Sequence, residues 1–80
     1  MYDLGLMYHY GQGVEKSYEK AIEYFEQAAH LGYAKAQYIL GGMYYKGEGV
    51  EQNMVTAMKW AKKAAAQGDE SAIAQLQRMK

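Results

Sequence analysis

The sequence predicts an all-α solenoid of antiparallel helix pairs, about two repeats followed by a terminal helix, and three observations predict it. Leu4, Gly5, Tyr8, Gly11, Gly13 and Val14 recur as Leu40, Gly41, Tyr44, Gly47, Gly49 and Val50, each pair 36 residues apart. The recurrence continues through Ala21/Ala57, Ala28/Ala64, Ala29/Ala65 and Gly32/Gly68. A fixed period of that length marks stacked repeats rather than one globular design. Between the glycine loops the apolar residues fall at helical spacing, and the chain has no proline to remove an amide donor from a helix. The whole chain is then one domain, with repeat one at 1–32, repeat two at 33–68 and a capping helix at 69–80.

The first helix is expected from Met1 to about Tyr10, with Leu4, Met7 and Tyr8 on its packed side. It lacks counterparts of Ala34, Lys35 and Ala36, which open the equivalent helix in repeat two. Solenoids usually need about three or more repeats and atypical ends, so the reading favours a segment of a longer array. Gly11 and Gly13 break the helix, since glycine adopts the left-handed backbone that closes a helix and reverses the chain. Val14 then tucks back between the helices it joins. Ser17 and Asn53 stand where side-chain oxygens can accept from free amides, and are read as N-caps. A second helix follows from about Tyr18 to Leu31, with Ala21, Tyr24, Phe25, Ala28 and Ala29 inward.

The unit restarts after Gly32. Ala36, Leu40, Met43 and Tyr44 share one face, and Gly41 allows close contact at the crossing. The loop from Gly47 to Asn53 and the helix from Met54 to Gln67 repeat the first unit, with Ala57, Trp60, Ala61, Ala64 and Ala65 inward. A third leading helix begins after Gly68. There Ala72, Leu76 and Met79 replace Ala36, Leu40 and Met43, while Gln77 and Lys80 occupy the glycine and tyrosine positions and make the end polar.

Eighty residues form a small domain, in the size range where one core is only marginally stable. Half the residues are apolar and nine are tyrosine, so much of the burial comes from rings whose hydroxyls still need partners. Nine basic residues balance nine acidic ones, and no global field draws the chain to nucleic acid or an anionic membrane. No apolar run approaches the roughly 20 residues of a membrane-spanning helix. With no cysteine and no visible signal-peptide order, the compartment stays open with a lean toward the cytoplasm.

At Ala36, Leu40, Gly41, Tyr44, Gly47, Gly49, Val50, Ala57, Trp60, Ala64, Ala65 and Gly68 the chain resembles the Sel-one-like repeat (SLR) family, relatives of the tetratricopeptide (TPR) repeats. The first unit matches at Leu4, Gly5, Tyr8, Gly11, Gly13, Val14, Lys20, Ala21, Ala28, Ala29 and Gly32. Ser17 and Asn53 depart from the family's aspartate, Thr56 from its lysine and Tyr24 from its tryptophan. The resemblance implies a right-handed superhelix with the leading helices on a concave surface, and a role in assembling complexes or holding peptide segments.

Catalytic chemistry finds little support. Ser17, Tyr18, Glu19 and Lys20 spell S-x-x-K, but the partner motifs and oxyanion hole that such a serine needs are missing. The paired glycines follow helices rather than strands and lack the lysine of a phosphate loop. Two histidines with no cysteine and no carboxylate at ligand spacing do not make a metal site. His30, in the last turn of its helix, is read as facing the negative end of the dipole. No enzyme activity, cofactor or metal is expected.

At roughly 100° per residue, Tyr2, Leu6 and His9 of the first leading helix and Tyr38, Gly42 and Tyr45 of the second point away from the packed face. Ala74 and Arg78 continue the row, and Lys35 and Lys46 back it. Aromatic residues with flanking cations compose a contact surface, so Tyr2, Leu6, His9, Tyr38 and Tyr45 are the expected partner-binding residues. The expected function is non-catalytic: a scaffold binding a protein, peptide or partner helix, not nucleic acid or membrane. The alternative is self-assembly into dimers or head-to-tail stacks, favoured by an acidic residue 1–36 segment and a basic remainder. On the trailing helices, Glu23/Lys59 and Glu26/Lys62 are 36-residue equivalents, and stacking is expected to set these opposite charges side by side.

Overall fold

The computed structural model describes residues 1–79 of the chain. Five helices follow one another: α1 (Tyr2–Tyr10), α2 (Tyr18–His30), α3 (Ala34–Lys46), α4 (Met54–Ala66) and α5 (Glu70–Met79). Each packs on its successor, and α3 also touches α5. The architecture is a helical-repeat solenoid, and among the described residues it contains no strand.

Local chemistry sets the helix ends. Gly11 and Gly47 close α1 and α3 in the left-handed region, at φ 71° and 74°, and their amides donate to the carbonyls of Met7 and Met43. Gly13 and Gly49 also carry positive φ, at 77° and 75°. Ser17 Oγ accepts from the Lys20 amide at 3.2 Å and Asn53 Oδ1 from the Thr56 amide at 3.1 Å, which supplies partners for amides that a helix start leaves free. Asp69 does the same for α5, accepting from the Ala72 amide at 2.9 Å.

Close approach at the crossings depends on missing side chains. A Cβ on Gly5 would stand 2.6 Å from the Phe25 ring, and one on Gly41 would stand 3.0 Å from the Ala57 carbonyl oxygen. The core lies in the middle of the stack, where Phe25, Leu40 and Met43 are the largest fully buried side chains. Tyr8 stacks on Tyr24 with planes 7° apart. Tyr44 donates its hydroxyl to Glu26 Oε1 at 3.1 Å; burial first, then that carboxylate, raises the phenol pKa above its ordinary value.

Leu4 departs from the expected packed side. It is 41% exposed while its counterpart Leu40 is 0% exposed. The reason is the surroundings of the two helices: α3 is flanked by α2 and α4, whereas α1 packs chiefly on α2.

The pairing of glutamates and lysines on the trailing helices is not found either. Among the described residues Lys35 pairs with Asp69, and His9 Nε2 lies 3.7 Å from Glu48 Oε1. The helices α2 and α4 both pack against α3, which lies between them, Glu26 is engaged by Tyr44, and Lys59 and Lys63 lie over the Trp60 ring at 5.9 and 5.0 Å. His30, read as a dipole partner, sets its ring edge against Trp60 with centroids 5.2 Å apart.

A polar clasp joins the two hairpins. Gln37 is 5% exposed, and its Nε2 donates to the Ala29 carbonyl at 3.0 Å. Gln67 Nε2 donates both to Gln37 Oε1 at 3.0 Å and to the Gly32 carbonyl at 2.9 Å. Residues from α2, α3 and the end of α4 are thus held through one carboxamide. Gln37→Leu keeps the volume but strips the two bonds that Gln37 makes, so a stability loss of about 1–2 kcal/mol is expected. Urea unfolding followed by circular dichroism measures it.

Candidate functional site

The leading helices α1, α3 and α5 line a groove of about 330 Å³. Its wall on α1 is His9 and Tyr10; on α3 it is Tyr38, Gly42, Tyr45 and Lys46. Glu48 from the following loop, Gln75 and Arg78 from α5, and the apolar Ile39, Met43 and Met79 complete it. The bareness of Gly42 matters here, because a Cβ would stand 3.1 Å from Gln75 Nε2. Without it the Gln75 carboxamide lies directly on the α3 backbone and forms part of the groove.

Of the five residues expected to meet a partner, His9, Tyr38 and Tyr45 share this groove. Tyr2 and Leu6 do not line it; both pack against the core cluster. The Tyr2 ring meets Tyr33 edge-on with centroids 4.9 Å apart and tilts against Phe25 at 6.0 Å. Burial, then the neighbouring Tyr33 phenol, raises the Tyr2 pKa. Lys35 is drawn to Asp69 Oδ2, at 3.4 Å.

His9 is held on several sides. Its ring is edge-on to Tyr10 at 4.6 Å and tilted on Tyr18 at 5.3 Å, and Nε2 lies 3.7 Å from Glu48 Oε1. Its Nδ1 is buried without a hydrogen-bond partner, as is Gln75 Oε1. An unmet buried polar atom costs roughly 1–3 kcal/mol, and both atoms belong to residues that line the groove. Sequence reasoning did not identify Gln75. The second glycine of the Gly41–Gly42 pair was the available signal, since a bare helix position invites another side chain to lie across it.

The Ser17 hydroxyl is occupied as a helix cap, and the Lys20 ammonium sits over the Tyr8 ring at 5.3 Å. Among the described residues no group of three His, Asp or Glu comes together as a metal site, and no helix is long and apolar enough to cross a membrane.

A Sel1 repeat profile matches residues 1–33 and again 34–69. Among curated proteins none matches the chain. Among solved structures it is similar to a Sel1 repeat protein from Oxalobacter formigenes, with 45% identity and a TM-score of 0.90 over 91% of this chain and 30% of that one. It is similar to a protective antigen of uropathogenic Escherichia coli strains displaying an SLR fold, with 41% identity and a TM-score of 0.88 over 89% of this chain and 15% of that one. Helicobacter pylori cysteine rich protein B shares 36% identity and a TM-score of 0.87 over 92% of this chain and 56% of that one. The chain spans less than two thirds of each of these structures. Two consecutive profile matches covering nearly all the residues, on the stacked hairpins described above, place the chain in the Sel1 repeat family.

Proposed function

We propose that this chain is a non-catalytic protein-interaction module that holds a segment of a partner protein in the groove between α1, α3 and α5. The observation that carries the proposal is the grouping of His9, Tyr38 and Tyr45 with two buried, unpartnered polar atoms in a single concavity. Tyrosine contributes large contact area at low conformational cost, and its hydroxyl still accepts or donates at the wet rim. The Sel1 repeat fold supports the same reading.

The test replaces Tyr38 and Tyr45 together with alanine. Each loss at a contact centre costs on the order of 1–2 kcal/mol, so capture of partners from native cell extract is expected to fall at least about tenfold while helicity is unchanged. Full retention of every partner by a folded variant rejects the groove.

A second reading, self-assembly, is favoured by the exposure of Met1 and Leu4 on the open side of α1. Light scattering over a dilution series separates it from partner binding, because assembly makes the apparent mass depend on concentration.

A further inference from the structure

Resting on that reading of the groove, its charge and its unmet polar atoms narrow the occupant. Lys46, in the last turn of α3, and Arg78, in the last turn of α5, enter the lining from two different helices. Neither makes an ion pair among the described residues. The one carboxylate in the lining is Glu48, whose Oε1 lies 3.7 Å from His9 Nε2. Among the described residues the lining therefore presents two cations, neither of them ion-paired, against the single carboxylate of Glu48.

The buried polar atoms speak to the backbone of the occupant. Gln75 lies on the bare α3 backbone, with Oε1 buried and unpartnered. A carboxamide carries a donor and an acceptor in one plane and matches the N–H and C=O of a peptide unit. In a bound helix those groups are already paired internally. An extended segment leaves them free.

We propose that the groove takes an extended acidic segment of a partner protein, with a peptide unit on the Gln75 carboxamide and carboxylates toward Lys46 and Arg78. The aromatic rings of Tyr38 and Tyr45 flank the segment.

Fluorescence anisotropy with three labelled peptides tests this: Gly-Glu-Glu-Leu-Glu-Glu-Gly and its Lys and Gln counterparts. The acidic peptide is expected to bind saturably and several-fold more weakly as salt rises from low to high ionic strength. The doubly substituted Lys46→Ala, Arg78→Ala protein, whose changes lie at the groove rim, is expected to bind it roughly tenfold more weakly. Gln75→Leu is expected to weaken binding while leaving the salt dependence intact, a signature that loss of charge does not give.

Equal binding of the Lys or Gln peptide overturns the acidic preference and leaves the groove as a contact site. No binding of any peptide, with partner capture still lost on replacing Tyr38 and Tyr45, overturns the extended acidic segment alone. If those tyrosine replacements also leave capture intact, both proposals fall.

Discussion

Gly49→Ala is expected to destabilise the protein by about 2–5 kcal/mol, whereas Gly13→Ala, at the equivalent loop position, is expected to cost about 1–2 kcal/mol. Both residues have a left-handed backbone, so the strain of adding a Cβ is common to them. What differs is the space. A Cβ at Gly49 would lie 2.7 Å from Tyr18 Cβ and 2.8 and 2.9 Å from the Tyr18 carbonyl carbon and oxygen, and these atoms cannot turn aside as a flexible chain end can. At Gly13 the nearest atom is the terminal methyl of Met7, at 3.6 Å. An eighty-residue domain has only roughly 4–12 kcal/mol in total, so the Gly49 variant stands near unfolding. Each kcal/mol should lower Tm by roughly 4–8 °C. Thermal melts of the two variants side by side measure the difference, and equal shifts would show that the loop does not rest on α2.

Leu40→Ala is expected to cost about 2–5 kcal/mol and Leu4→Ala less than about 1 kcal/mol. The side chains are identical and 36 residues apart, but Leu40 is fully enclosed and Leu4 is open to water on one side. Truncating Leu40 leaves a void among Phe25, Ala29 and Met43, close-packed members of the same cluster that can collapse only partly. Truncating Leu4 removes a contact that is only partly made. Denaturant midpoints at constant slope read both values. A large loss at Leu4 would mean that something covers α1 in solution.

These pairs also show how far the sequence carries. Helix order, the two glycine loops and the caps at Ser17 and Asn53 were legible because each depends on local backbone chemistry that recurs with the period. His9, Tyr38 and Tyr45 were legible as one surface because helical geometry alone turns them the same way. Periodicity is blind to whatever breaks it. Leu4 and Leu40 share a letter but not a set of neighbours. Gln37 and Gln67 correspond to Ile73 and Leu31, so their bonds occur once and leave no repeating trace. Gln75 reaches the groove through a vacancy at Gly42, whose counterpart Leu6 is filled. The Glu23/Lys59 and Glu26/Lys62 alignments failed for the converse reason: equal repeat position does not bring two helices together when a third lies against both.

The Gln37 carboxamide has a consequence for how the molecule comes apart. Hairpin arrays with only apolar seams can unzip one unit at a time from a free end. Here, separating the hairpins strands a buried amide before any new water can reach it, so the seam resists the first step of fraying inward. The two hairpins are thereby expected to melt as a single unit without a covalent staple, in a chain that has no thiol to make one.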